Sequence, residues 1–230
     1  MIKAVIFDLD NTLVDFMKIK EEAISASVEA MIDAGLNLDR ETARQKIHKI
    51  YEREGNIEDQ NILDKFLQQV QGEIDYRILS AGIVGYRRAK DGAMALYPHV
   101  IPTLMALLRR GLKLALLSDA SRLQVWLRLA ELHIEHFFDS VVTFDDTGKK
   151  KPASLPFQKA LSQLGVKAEE AMMVGDWAER DIEGARKVGM KTVFSQYGDL
   201  FGTQNSGADF EIQDILQLIE IVDNENSSSK

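Results

Sequence analysis

The stretch Ala4-Val5-Ile6-Phe7-Asp8-Leu9-Asp10-Asn11-Thr12-Leu13 decides how this chain is read. Ala4 to Phe7 is an unbroken apolar run, the pattern of a strand buried on both faces, and two carboxylates and a hydroxyl follow directly at its end. On a continuing strand Asp8 and Asp10, two residues apart, share a face. Like charges that close repel each other and need a cation or a shared proton to coexist. In an open α/β sheet, ligands bind beyond the carboxyl ends of the strands, which is where this pair falls. Taken alone, the stretch also fits a strand ending in an Asx-capped turn. The rest of the chain decides between the two.

From Leu96 onward, short apolar strands alternate with amphipathic helices. The strands are residues 113–118, 141–144, 171–175 and 191–195; the helices lie near 99–110, 121–132, 154–164 and 179–188. This rhythm predicts an α/β fold, a Rossmann-like parallel sheet covered by helices on both faces. Residues 208–212 read as a short edge strand and 214–222 as a closing helix. Residues 16–92 carry no strand signal. They show helical stripes such as Ile24, Val28, Met31, Ile32 and Ile62, Phe66, Leu67, Val70. The predicted organisation is a core of residues 1–15 and 93–223 and a smaller all-helical domain of residues 16–92. A polar, serine-rich tail, 224–230, is expected to be disordered.

Three more polar clusters sit at the ends of the later strands. Ser118-Asp119 closes one strand just before a helix opens near Ser121, where free amides would hold an anion; the same pattern serves as an ordinary N-cap. Gly148-Lys149-Lys150-Lys151-Pro152 places lysines in a loop, and a lysine run is also what a solvated loop looks like. Gly175-Asp176 ends a fourth strand in a carboxylate, with Asp181 five residues on, and the glycine suggests close backbone approach. A hydroxyl, a lysine and further carboxylates, each from a different strand end, would converge on one crevice with Asp8 and Asp10.

Composition narrows the function classes. The 230 residues are 45% hydrophobic and 28% charged, which suits a globular chain of one large or two smaller domains. A net charge of −8 argues against a nucleic-acid surface and against binding to acidic lipid. The chain has no cysteine, which removes disulfides, thiolate nucleophiles and cysteine-ligated metals. No apolar stretch approaches the roughly 18 residues of a membrane span, and Met1 runs straight into the first strand with no room for a signal peptide. The expectation is a soluble cytoplasmic protein.

Together these residues resemble the haloacid dehalogenase superfamily of aspartate-nucleophile phosphohydrolases, and the resemblance covers essentially the whole chain. D-x-D-x-T is Asp8, Asp10 and Thr12; the strand-end hydroxyl is Ser118. The G-x-x-K-P loop is Gly148, Lys151 and Pro152, with Phe157 at the usual aromatic position. G-D-x-x-x-x-D is Gly175, Asp176 and Asp181, and Tyr97-Pro98-His99-Val100 looks like the segment where a helical cap returns to the core. The resemblance implies a Mg2+-dependent phosphatase of a small phosphorylated metabolite, such as a sugar, polyol or glycolytic phosphate. Asp8 would be the nucleophile that forms an aspartyl-phosphate, and Asp10 the general acid and then base. Mg2+ would be held by the carboxylates of Asp8 and Asp176 and the backbone carbonyl of Asp10. Ser118, Asp119 and Lys151 would bind the phosphoryl group. Thr12 would bond locally to fix its loop, and Asp181 would orient the metal waters or the lysine.

The departures from the family pattern are few. Asn11 and His99 stand where glycine is usual, Ala153-Ser154 where Asp-Pro is usual, and Trp177 where serine is frequent. Asp10, Asp176 and Asp181 together argue against a haloacid dehalogenase, which needs no acid for a departing halide. A phosphomutase shares the same core residues and stays an alternative, as does a non-catalytic homologue that only binds a partner. A receiver-like switch would be about half this length and lack the helical insert. Oligomeric state is not legible.

Overall fold

Six short segments pair side by side as parallel strands in the computed structural model, which describes residues 1–54 and 61–227. They are β1 (Ala4–Phe7), β2 (Lys113–Leu117), β3 (Ser140–Val142), β4 (Ala171–Gly175), β5 (Lys191–Ser195) and β6 (Phe210–Ile212). Their order is β3-β2-β1-β4-β5-β6, and every neighbouring pair is parallel. β1 therefore lies at the centre, and the strand order reverses beside it, between β1 and β4. In doubly wound sheets that reversal opens a crevice at the carboxyl ends.

The register explains the apolar runs. Val5 lies level with Leu114 and Met172, and Ile6 with Ala115 and Met173. Ile6, Ala115 and Met173 pack into one cluster with Phe157, Ala160 and Leu164. The alternate residues Val5, Leu114 and Met172 point the other way and are equally buried, so both faces are covered.

Between β1 and β2 the chain runs through α1 (Phe16–Asp33), α2 (Arg40–Glu54), α3 (Ile62–Gln71), α4 (Tyr76–Ala93) and α5 (Val100–Arg109). Later come α6 (Arg122–Leu132), α7 (Phe144–Thr147), α8 (Ser154–Leu164), α9 (Glu183–Lys187) and α10 (Leu218–Ser227). The chain divides into two compact units, Met1–Asp15 with Ala95–Lys230, and Phe16–Met94. The second has its own core, in which Ile24, Val28 and Met31 of α1 meet Ile47 of α2, Phe66 and Leu67 of α3, and Ile78 of α4. These are the stripes that the sequence spacing picks out.

Two local expectations are corrected. The strand expected over 141–144 occupies Ser140–Val142, because the next residues cap a helix instead. The Thr143 backbone N–H and hydroxyl both donate to Asp146 Oδ2, at 2.8 and 2.7 Å, and start α7. The tail expected to be disordered from Asn224 is helical as far as Ser227, where α10 ends. Asn226 fixes it by accepting from the Ile2 N–H and donating to the Ile2 carbonyl. Residues 228–230 lie outside the described residues.

Asp146 also accepts from Arg122 at 2.8 Å, and these bonds hold its carboxyl below the usual range against the opposing effect of partial burial. A depressed folded-state pKa adds stability above the unfolded value, and that stability is lost as pH falls through the folded value. Asp146→Ala is therefore expected to cost about 1 kcal/mol at neutral pH, the usual weight of a helix cap. In paired urea titrations of the two proteins the difference should fade below about pH 3.8. A difference independent of pH would show that the carboxylate charge does not matter there.

Candidate active site

Asp8 follows β1 directly, and its N–H still donates to the Val174 carbonyl at 2.9 Å, which pins the end of β1 to β4. The strand does not continue to Asp10. The Asn11 N–H turns to the Val14 carbonyl at 2.6 Å, and the N–H groups of Leu13 and Val14 return to the Leu9 carbonyl. Asn11 holds φ at +60°, a left-handed conformation that glycine or asparagine accepts most readily. This accounts for asparagine where the family pattern has glycine. Asp8 and Asp10 thus do not share a face as on a strand; they look to different cations.

Asp8 looks to Lys151. The Lys151 ammonium donates to Asp8 Oδ1 at 2.7 Å, pairs with Asp181 Oδ1 at 2.6 Å and donates to the Leu117 carbonyl at 3.2 Å. Its side chain is 3% exposed and that of Asp181 1%, whereas Asp8 keeps 14% of its surface open. Of the lysine run only Lys151 is buried; Lys149 and Lys150 are exposed, as a solvated loop predicts. The Lys151 backbone N–H donates to Asp119 Oδ1 at 2.8 Å, and Arg180 reaches Asp119 Oδ2 at 3.4 Å. The Asp119 carboxylate is therefore committed to anchoring the lysine loop, and a phosphate dianion would be repelled by it. Ser118 is buried at the end of β2, and its hydroxyl oxygen accepts from the Ala120 N–H at 3.2 Å, leaving the O–H free to donate.

Asp176 ends β4 beside Asp8. Thr12, expected to bond within its own loop, instead donates across the sheet to Asp176 Oδ1 at 3.0 Å, and its hydroxyl lies 3.5 Å from that of Ser195. Asp181 sits in a wide helical turn, Ala178–Ile182, that precedes α9, and its Oδ2 accepts from the Trp177 N–H at 3.1 Å. A Cβ on Gly175 would stand 2.4 Å from the Asp181 carboxyl, which is the close approach that the glycine suggested. Trp177 stacks on Phe201 with ring centroids 4.6 Å apart, and Arg180 lies 3.6 Å from the Trp177 ring centre. The bulk that replaces serine is thus spent on bracing Arg180 toward Asp119. His99 takes the left-handed φ of +64° that its usual glycine would, and pairs with Asp214.

Asp8, Asp176 and Asp181 each offer a carboxylate oxygen within 4.8 Å of the others. Burial, reinforced by the neighbouring carboxylates, pushes the Asp8 and Asp176 carboxyls above the usual range, against the pull of Lys151. Burial alone would lower the Lys151 ammonium, but Asp181, Asp8 and Asp119 hold it above the ordinary lysine range. Three carboxylates thus face one ammonium. An all-oxygen, buried and over-negative set of this kind fits a hard divalent cation. The Asp10 carboxylate lies outside the set, with Oδ1 3.4 Å from Nε of Arg128.

Sequence reading missed four supporting residues. Arg128 falls on the buried stripe of α6 with Val125 and Leu129, and that charged interruption of an apolar face was a usable signal. Gly198 gave none: a Cβ there would stand 1.7 Å from the Asn11 carbonyl oxygen and 3.0 Å from Asp176 Cβ. Arg180 and Ser195 gave none either.

The haloacid dehalogenase-like hydrolase family matches residues 2–189. A glyceraldehyde 3-phosphate phosphatase from Methanocaldococcus jannaschii is 37% identical over 97% of this chain and 98% of its own length. One of the same name from Pyrococcus furiosus is 34% identical over 100% of this chain and 96% of its own. Among solved structures, a phosphatase of the haloacid dehalogenase class from Thermococcus onnurineus superposes with a TM-score of 0.65 and 27% identity, covering 96% of this chain and 98% of its own.

The Gly198 geometry makes a direct test of how tightly the Asp8–Asn11 turn is held. Gly198→Ala sets a methyl against backbone and should cost about 1–3 kcal/mol or more by the usual weight of overpacking, with lower phosphatase activity. Gly92→Ala, where a Cβ meets nothing within 4 Å, is the control and should leave thermal stability unchanged or raised. Equal melting temperatures for the two variants would contradict the close approach.

Proposed function

The chain belongs to the haloacid dehalogenase-like hydrolase family, and from that premise we propose that it hydrolyses a small phosphate monoester, glyceraldehyde 3-phosphate foremost, through an aspartyl-phosphate on Asp8. The observation that carries this reading is the Asp8–Lys151–Asp181 chain of contacts at the carboxyl end of the central strand, with Asp176 beside it. The substrate rests on relatives that share a third or more of their residues over nearly their whole length.

The chemistry follows from who holds what. A carboxylate approaches a phosphate dianion only where positive charge is fixed in place beforehand. Lys151 supplies one such charge against Asp8. The carboxylates of Asp8 and Asp176 and the backbone carbonyl of Asp10 would hold Mg2+, which would supply the second positive charge. Asp181 has both oxygens engaged, by Lys151 and the Trp177 N–H, and so orients the lysine. An open oxygen of Asp8 attacks phosphorus as the bond to the leaving oxygen breaks, and Asp10 gives that oxygen its proton. Asp10, now a carboxylate, takes a proton from water as the water attacks phosphorus. Inorganic phosphate leaves and Asp8 is restored. Ser118 donates to the phosphoryl group while Thr12 steadies Asp176.

Asp10 separates this reading from dehalogenation, where a halide leaves without a proton. A phosphomutase would use the same core residues; the phosphatase names of the two relatives support hydrolysis.

Glyceraldehyde 3-phosphate should be turned over with Mg2+, not in EDTA, and again once Mg2+ is restored, at a higher kcat/KM than other phosphorylated metabolites in a panel. Asp8→Asn should be folded and inactive, and a folded Asp8→Asn protein with substantial residual activity would overturn the mechanism. Asp10→Asn should slow an alkyl phosphate by about 10²- to 10⁴-fold, the usual weight of one acid–base group, and the p-nitrophenolate burst from p-nitrophenyl phosphate, a step that needs no proton donor, much less. Identical losses on both would remove Asp10 as the proton donor.

A further inference from the structure

The candidate site contains a second buried cation that the mechanism leaves without a task. Arg128 lies in the interior of α6, on the same stripe as Val125 and Leu129, with 3% of its side chain exposed. Removing a guanidinium from water is costly, and an apolar side chain of similar length would fill such a stripe without that cost. Its Nε lies 3.4 Å from Asp10 Oδ1. Asp10 is the one carboxylate of the D-x-D pair that stands outside the Asp8, Asp176 and Asp181 cluster.

We infer that Arg128 is a positioning residue that acts through Asp10, holding its carboxylate apart from the cation site and aimed at the leaving group. The inference rests on the reading of Asp10 as proton donor. The site sorts its acids between two buried cations: Lys151 takes Asp8 and Asp181, and Arg128 takes Asp10. The Arg128 charge on α6 thus opposes the pull of Lys151 on Asp10. A guanidinium suits this work because it is planar, rigid and permanently charged. At 3.4 Å the contact is an ion pair, looser than a short hydrogen bond. The Asp10 side chain keeps 25% of its surface exposed, which leaves a face for the leaving oxygen.

The test compares glyceraldehyde 3-phosphate with p-nitrophenyl phosphate in Arg128→Met, Arg128→Lys, Asp10→Asn and the double variant Arg128→Met/Asp10→Asn. Arg128→Met should lower kcat on the alkyl phosphate by about 10- to 10²-fold, the scale of an ångström-sized misplacement, with little change in KM. On the aryl phosphate, whose leaving group needs no proton, the loss in the phosphorylation step, read as the p-nitrophenolate burst, should be only a few-fold. Arg128→Lys should recover part of the activity, and Arg128→Met should add almost nothing once Asp10 is already asparagine. A loss equal on both substrates, or one that multiplies in full in the double variant, overturns the inference and marks Arg128 as merely structural. Should Arg128→Met fail to fold, Arg128→Lys carries the same comparison: a partial loss confined to the alkyl phosphate supports the inference, and an equal loss or none overturns it. An Asp10→Asn protein with full activity on the alkyl phosphate would remove Asp10 as proton donor and this inference with it, whereas the failures above touch the inference alone.

Discussion

The Lys151 ammonium, 2.7 Å from Asp8 and 2.6 Å from Asp181, is the contact on which the rest of the site depends. A lysine with 3% of its side chain exposed survives in the interior only while its carboxylates are in place, and they are tolerable only while it is. Breaking such a pair strands a charge, so the loops that carry its members are under constraint. Asp119 ties the backbone of Lys151, Arg180 and Trp177 brace Asp119, and Gly175 makes room for Asp181. The sheet brings these residues, distant in sequence, to one edge because β1, β2 and β4 are adjacent and parallel.

Electrostatic surplus links that constraint to function. One ammonium does not balance three carboxylates, two of them buried and Asp8 largely so, and burial drives the carboxyls of Asp8 and Asp176 upward. A divalent cation bound there would resolve the imbalance and would bring the positive charge that a phosphate dianion needs to approach Asp8. Asp10 stands apart from that cluster, with its carboxylate beside the Arg128 guanidinium.

Much of the fold was legible because its signals are local. Apolar runs as continuous as Val5–Phe7 and Leu114–Leu117 belong to strands buried on both faces, and stripes such as Ile24, Val28 and Met31 belong to helices. The clustered acids Asp8, Asp176 and Asp181 and the buried Lys151 were legible because each lies at or just beyond a strand end. Features that depend on long-range geometry were not. Thr12 reaches Asp176 across 164 residues, and Gly198 matters only because the Asn11 carbonyl passes over it. Asn11 and His99 looked like departures until their left-handed backbone showed what glycine had been doing there. Asn224 read as disordered because its neighbourhood is polar, but Asn226 finds its partner at Ile2, at the other end of the chain.

The central claim is that Asp8 becomes covalently phosphorylated during turnover. Acid quenching of the enzyme with Mg2+ and glyceraldehyde 3-phosphate within the first turnover, followed by borohydride reduction and tandem mass spectrometry, tests it directly. Borohydride converts an aspartyl-phosphate to homoserine, so the account predicts homoserine at residue 8, dependent on substrate and absent in Asp8→Asn. Steady turnover with an unmodified residue 8, or with the phosphoryl group on another side chain, would contradict it.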